Sequence, residues 1–360
     1  MALPSSSWSE FLPELLNTVF HNLNDARDIL NCATVCSSWK DSSSAVYYSR
    51  TFSPFLFISH LSSNEEIRFS DQFRVLSPGK LGFSGNQQAW VCGSTLGFLL
   101  TKPVTKSVTS LPPLISFEDV QRLLQSQAII PDSEALKNFI KKAVSSTSLL
   151  DDEWVVLVIY NTDRKLAFCR RGDKQWTDLE SVASSVDDIV FCNGVFFAID
   201  RLGEIYHCEL SANNPKATPL CSTSPFRYDS CKKYLAESDY DELWVVLKKL
   251  ELNDDCDFET SFEIYEFNRE TNEWTKVMSL RGKALFLSPQ GRCIAVLAGE
   301  RGFFKDNSVY FIDGDDPSVG GSGPQNLSVF EWESKQIMKI YQPRSWNCQM
   351  FWVTPTDVPQ

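Results

Sequence analysis

Any chemistry in this chain would have to come from few residues. Histidine occurs three times, as His21, His60 and His207. None stands in an HExxH pattern, near a G-x-S-x-G nucleophile turn or in a recognisable Cys–His pairing. A nucleophile with no nearby base is weak. Eleven cysteines are scattered from Cys32 to Cys348 with no CxxC pair or ligand rhythm, and their number is odd. Most lie among apolar neighbours, as in FCN and YHC, where cysteine acts as a small buried hydrophobe. That usage points to a reducing compartment, cytoplasmic and/or nuclear. The acidic stretches ESDYDE (237–242) and ELNDDCDFE (251–259) admit calcium or a basic partner, but charge runs of this kind are the ordinary content of solvated hairpin loops. DGDDPSVGGSGPQN (313–326) lacks the Lys-Ser/Thr and the helix start that cradle a phosphate, and it reads as a flexible loop. Trp154, Trp176, Trp244, Trp274 and Trp332 recur at strand positions and read as packing rather than a ligand cage. The expectation is a protein with no catalytic residues, no cofactor and no metal.

Bulk properties narrow the partners. The chain has 360 residues, 43% hydrophobic and 22% charged, which is enough for one small and one large domain. A net charge of -12 argues against a nucleic-acid-binding face. The N-terminal MALPSSSWSEFLPELL has no cationic start and no uninterrupted apolar stretch, so it does not read as a signal peptide. The longest apolar run, WVVLVIY (154–160), is too short to span a bilayer. Neither nucleic acid nor a membrane is expected as a partner.

The elements fall into two kinds. Leu12, Leu15, Leu16, Val19, Phe20 and Leu23 recur at helical spacing, with Pro13 at the first helical position, where its missing N–H had no partner anyway. After Asn24-Asp25 a second short helix carries Ile29, Cys32, Ala33 and Cys36, with Asp28 as its cap. A third begins at Ser37-Ser38 and carries Trp39 and Val46. Three short helices bury little surface, and such a unit is marginal without a partner. The stretch WSEFLPELLNTVFHNLNDARDILNCATVCSSWKD resembles an F-box, with its Leu-Pro and Val-Cys-x-x-Trp landmarks in order. The resemblance covers residues 8–48 and implies binding to the Skp-type adaptor of cullin–RING ubiquitin ligases. Leu12, Pro13, Leu15, Leu16, Val35 and Trp39 match the motif positions and are the candidate adaptor-binding residues.

From about residue 52 the pattern becomes short apolar runs punctuated by Gly, Asn, Asp and Pro, the signature of strands. One phrase recurs: a strand, a polar turn, then a second strand often carrying Trp. The copies are LFISHLSSNEEIRFS, LLTKPVTKSVTSL, LAFCRRGDKQWTDL, IYHCELSANNPKATPL, IYEFNRETNEWTKVMSL and VFEWESKQIMKIY, starting at Leu56, Leu99, Leu166, Ile205, Ile264 and Val329. The shortest intervals match a four-stranded propeller blade. Six copies predict about six blades, with seven the alternative. A β-sandwich array would explain the aromatic alternation but not the recurring hairpin. Between the copies, DDIVFCNGVFFAID (187–200) and KALFLSPQGRCIAVLA (283–298) read as further hairpins that complete four-stranded sheets. In 115–150, Ser116 to Asp119 resembles a capping box before a short amphipathic helix; for 134–145 helix and strand both fit, and the resemblance to plant F-box proteins favours a strand at FIKKAV. This insertion admits a client-binding role, but an ordinary packed excursion is the simpler reading.

The fold class expected is therefore mainly β, a small N-terminal α unit followed by a propeller over residues 52–356. This part resembles plant F-box proteins with a KIB-type domain, through GFLLTKPVTKSVTSLPPL (97–114), VFFAIDRLGEIYHCEL (195–210), NSVYFIDGDD (307–316) and FWVTP (351–355). Lys102 stands where the family phrase usually has Asn. The resemblance implies a non-catalytic substrate receptor of an SCF-type ligase, linked through its adaptor to a cullin and holding an unknown client. A non-degradative interaction scaffold is the alternative, and a propeller hydrolase a more distant one.

Overall fold

A computed structural model describes residues 11–23, 26–49, 55–58, 75–76, 90–95, 98–102, 111–125, 139–146, 153–180, 182, 184–210, 214–220, 224–227, 231–238, 242–252, 258–289, 293–298, 304–313, 325–342 and 350–353. Three helices open the chain: α1 (Pro13–His21), α2 (Ala26–Cys32) and α3 (Ser37–Ser49). The strands that follow fall into six successive groups among the described residues.

The first group is β1 (Phe55–Ile58) with β2 (Val75–Leu76), and the second is β3 (Trp90–Thr95) with β4 (Phe98–Lys102). A 3-10 turn at Leu114–Ser116 and α4 (Glu118–Gln125) precede the third group: β5 (Ile140–Ser145), β6 (Val155–Tyr160), β7 (Lys165–Arg170) and β8 (Thr177–Asp178). The fourth is β9 (Val186–Cys192), β10 (Val195–Asp200), β11 (Ile205–Glu209) and β12 (Lys216–Pro219). The fifth is β13 (Lys232–Glu237), β14 (Leu243–Leu252), β15 (Phe258–Asn268) and β16 (Glu273–Lys276). The sixth is β17 (Lys283–Leu287), β18 (Ile294–Leu297), β19 (Ser308–Asp313), β20 (Asn326–Glu331) and β21 (Ile337–Tyr341). The last strand, β22 (Met350–Val353), returns to the first group and pairs antiparallel with β1.

The third, fourth and fifth groups are four-stranded antiparallel meanders. Their middle strands are apolar on both faces because both sides are covered, by neighbouring blades or, on one side of the third group, by residues 111–125. In β6, Val156, Val158 and Tyr160 pack towards Trp154, Trp176 and Phe117, while Leu157 and Ile159 pack towards Ile189 and Phe196 of the fourth blade. A second core joins the fourth and fifth blades through Val190, Phe197, Ile199, Leu235, Val245 and Leu247. A third joins the fifth and sixth through Trp244, Val246, Ile264, Leu285, Val309 and Phe330. A fourth joins the sixth blade to the first through Phe286, Tyr310, Val329, Leu56, Met350 and Trp352. Cores between consecutive blades, closed by a C-terminal strand on an N-terminal one, make this a β-propeller.

The recurring hairpin phrase forms β7–β8, β11–β12, β15–β16 and β20–β21. The second halves of the copies starting at Leu56 and Leu99 lie outside the described residues. The 187–200 hairpin turns at Asn193 and Gly194, with φ of +50° and +76°, the positive values that a two-residue turn demands. The 283–298 hairpin forms as β17–β18, but the blade it joins is not a simple four-stranded sheet. β17 lies between β18 and β19 and runs parallel to β19, giving five strands in the order β18-β17-β19-β20-β21. β18 also meets β13 through one residue pair, Glu237 with Ile294.

The insertion forms the expected helix and strand, with a different start. Ser116 does not cap α4. Its hydroxyl donates to the Pro113 carbonyl at 2.7 Å, and Phe117, in extended conformation, leads into the helix. Phe117 is fully buried, stacked on Trp176 with ring centroids 5.0 Å apart and an interplanar angle of 9°. The excursion is a packed part of the third blade.

Candidate adaptor-binding site

The N-terminal unit is built on helix α1. Leu12 precedes it with an extended backbone (φ -65°, ψ 138°), and its carbonyl accepts the N–H groups of Leu15 and Leu16 at 3.0 and 3.1 Å. At the other end, the Asn22 amide donates to the Thr18 carbonyl at 2.8 Å and closes the last turn. Two apolar stripes run side by side along this helix. Leu16 and Phe20, spaced i and i+4, turn inward with Ile29, Trp39 and Val46, against partly buried Phe11, Leu23, Cys32 and Cys36. Phe20 meets Trp39 edge to face with centroids 5.6 Å apart, the arrangement favoured by ring quadrupoles.

The second stripe, Leu12, Leu15 and Val19, is left in solvent; Leu15 is 52% exposed where Leu16 is 1%. Pro13 is exposed beside it. Val35, in the connection between α2 and α3, is also exposed and donates its N–H to the Cys32 carbonyl at 3.2 Å. The six candidate residues therefore separate. Leu12, Pro13 and Leu15 share the outer side of α1, Val35 stands on another element, and Leu16 and Trp39 belong to the core of the unit. Val19 joins the outer stripe. Its signal was available, since it lies four residues beyond Leu15 in the same helical period.

Burial, and then the Asp28 carboxylate, push the Cys32 thiol upward, so it stays protonated. Exposed leucines and valines on a short helix offer apolar surface, and here three of them form a contiguous row rather than the scattered single positions that are normal.

In the propeller the tryptophans pack as blade core. Trp176 and Trp332 satisfy their indole N–H groups on the carbonyls of Pro112 and Met278, each at 3.0 Å. His207 is half-buried, 6.2 Å from the Phe197 ring, and His60 lies outside the described residues. The acidic stretch 251–259 is the tip of the β14–β15 hairpin, with 253–257 outside the described residues; most of the 313–326 segment is likewise outside them. Among the described residues no group of three or more His, Cys, Asp or Glu side chains could hold a metal ion. Among the described residues no helix is long and apolar enough to cross a membrane.

Comparison with known proteins agrees with both halves. Residues 13–52 match the F-box-like family and residues 60–332 the KIB1-4 beta-propeller family. F-box protein At2g26160 of Arabidopsis thaliana is 26% identical over 342 residues, covering 87% of this chain and 97% of that protein. Putative F-box protein At3g25750 of the same plant is 24% identical, covering 96% of this chain and 97% of its own length. F-box protein SKIP23, also from Arabidopsis thaliana, is 25% identical, with 97% and 94% covered. The propeller match stops at 332, short of β21 and of the closing strand β22, which the structure nonetheless places within the ring. With three quarters of its length in that match, the chain belongs to the plant F-box proteins of the KIB1-4 β-propeller family.

Proposed function

We infer that this chain is the substrate-recognition subunit of an SCF-type cullin–RING ubiquitin ligase. Its F-box binds a Skp-type adaptor, and through it a cullin, while its propeller holds a client protein. The observation that carries the reading is the solvent-facing stripe Leu12, Leu15 and Val19, with Pro13 and Val35 exposed as well, on a unit whose own core is already filled by Leu16, Phe20 and Trp39. The outer residues touch the adaptor; Leu16 and Trp39 hold the helices that present them. The receptor performs no chemistry itself. Tethering a client lysine near a ubiquitin-charged enzyme replaces a rare encounter with a high local concentration, and that is its contribution to rate. Seven cysteines, Cys32, Cys36, Cys169, Cys192, Cys208, Cys231 and Cys293, are free thiols, which supports a location in the cytoplasm, the nucleus or both.

A capture assay with purified Skp-type adaptor tests this. Leu15→Asp places a charge in an apolar contact, at a cost of about several kcal/mol, and is expected to lose adaptor capture at least tenfold with an unchanged helical circular dichroism signal. Leu16→Asp should lose capture as well, together with the helical signal, because it breaks the core. Undiminished capture by Leu15→Asp would remove the adaptor assignment. A ligase role further requires that the intact chain shorten the half-life of its client in a proteasome-dependent way. Capture without turnover would make it an interaction scaffold.

A further inference from the structure

The outer strand of a blade is a sheet edge, and an edge invites a further strand unless it is guarded. In blades three to five it is guarded. β8 has only two residues. β12 has four and ends in Pro219, which has no N–H to offer. β16 has four, with the charged Glu273 and Lys276 at its ends. The sixth blade differs. Its outer strand β21, IMKIY (337–341), is the longest of these edges and among the described residues pairs with β20 alone. Ile337 and Met338 stay in solvent, 39% and 58% exposed.

The ladder shows which main-chain groups of β21 face outward. Glu331 donates its N–H to the Gln336 carbonyl at 2.9 Å, so Gln336 turns towards β20. Antiparallel pairs alternate, so Met338, opposite Val329, turns inward as well. Ile337 and Lys339 therefore present their N–H and carbonyl groups to solvent. Their side chains share one face of the strand, and Met338 lies on the other. The regular edge ends beyond Lys339, where pairing skips Ile340 and resumes at Tyr341–Leu327.

The charges along this edge are positive. Lys339 is exposed, and no carboxylate pairs with it among the described residues. Lys335, just before the strand, lies over the Trp332 ring, 4.2 Å from its centroid, and likewise has no carboxylate partner among them. Burial, and then the Lys276 ammonium, lower its pKa, so it stands short of counter-charge. Of the carboxylates at the preceding turn, Glu331 is held by Lys305 at 2.6 Å, and Glu333 is exposed in the turn itself. A second copy of β21 fits this edge badly. An antiparallel pair centred on Ile337 sets Lys335 opposite Lys339, and one centred on Lys339 sets that lysine opposite itself; like charges directly opposite are destabilising. Carboxylates in the same places are favourable.

We propose that the outer edge of β21 docks an extended acidic segment of a partner protein as an additional antiparallel strand. Main-chain hydrogen bonds to Ile337 and Lys339 supply the attachment, and the side chains select the sequence. Facing Lys339, Met338, Ile337, Gln336 and Lys335 in turn, the segment reads acid, apolar, apolar, any residue, acid. As a client surface the edge rests on the receptor reading, but peptide binding is measured without the adaptor, so either can fail alone.

Fluorescence anisotropy with the full-length chain tests the edge. The probe is a labelled, end-capped peptide Thr-Glu-Val-Val-Thr-Glu-Thr, and the control has lysine for both glutamates. The glutamate peptide is expected to bind saturably and at least tenfold more tightly than the lysine peptide. Lys339→Glu should weaken the first at least tenfold and tighten the second, with melting temperature and adaptor capture unchanged. Two N-methylated probes separate strand pairing from charge attraction alone. Methylation of the second valine, whose N–H faces Ile337, should weaken binding at least tenfold. Methylation of the first, whose N–H points away from β21, should change it only a few-fold. Equal binding of the two methylated probes, or no saturable binding of the glutamate peptide, would overturn the proposal and leave Lys339 as the guard of a bare edge. A concentration-dependent dimer that Ile337→Pro abolishes would give the edge to a second copy and overturn it too.

Discussion

Gly203 and Gly194 both hold positive φ, at +84° and +76°, but their surroundings differ. A β-carbon on Gly194 would meet nothing within 4 Å, whereas on Gly203 it would lie 2.7 Å from the Phe226 carbonyl oxygen. Gly194→Ala should therefore cost about 1 kcal/mol, from the conformation alone. Gly203→Ala should cost clearly more, since backbone must shift, and the difference between the two in chemical denaturation measures the clash. The buried thiols give a prediction in pH. Burial pushes Cys208 up to about 12 and Cys293 up to about 11, and it raises Cys169 too, ahead of the Asp173 carboxylate. The folded thiols keep their protons to higher pH than the unfolded ones, so their contribution is full below about pH 8.5. It is lost as pH rises through about 11 to 12. Denaturation midpoints should fall across that window, and less steeply in Cys208→Ala. At this scale the sequence separates apolar from polar but not inward from outward. Leu15 and Leu16 are the same residue type on adjacent stripes of α1, and only the positions of α2 and α3 decide which one is covered.

Ring closure is a property of elements. β22 pairs with β1 from Phe55–Val353 to Ile58–Met350, and Trp352 packs edge to face on Phe286 at 4.9 Å. Met350 N–H donates to the Gln325 side chain at 2.6 Å, tying the closure to the sixth blade. Trp352→Ala should cost about 3–5 kcal/mol, read as a lowered melting temperature. Deleting residues 345–360 should expose β1 as a bare edge and lead to aggregation; a truncated chain that melts like the intact one would contradict closure through this strand. Much of this architecture was legible. The hairpin phrase announced four of the outer strand pairs directly, and DDIVFCNGVFFAID announced a further hairpin. The parallel pairing of β17 with β19 was not, because a buried strand reads as the same apolar run whichever way its neighbour points. Bulges at Lys141 in β5 and Asp187 in β9 were invisible for a related reason: a skipped partner leaves no mark on the strand that skips it. The capping box failed because Ser116 closes the 3-10 turn, which leaves Phe117, with no polar side chain, as the residue before α4.

At the scale of the whole molecule, the two halves carry separate cores. Leu16, Phe20, Ile29, Trp39 and Val46 pack with one another, while every inter-blade core is built from residues of the propeller. A unit with so little buried surface depends on its partner, whereas a ring with four continuous inter-blade cores does not depend on the helices before it. The propeller should therefore fold without residues 1–48, with a cooperative melt close to that of the intact chain. On the proposed receptor function, such a fragment would keep the client surface and lack the adaptor stripe. Expressed in cells, it should bind the same proteins as the full chain, compete with it, and lengthen the half-life of clients that the full chain shortens. A pulse–chase of proximity-labelled proteins under both forms reads this directly. If neither form alters the lifetime of any bound protein, the molecule is a scaffold rather than a ligase receptor. If the folded fragment binds nothing, the client surface includes the helical half, and the separate cores do not correspond to separate functions.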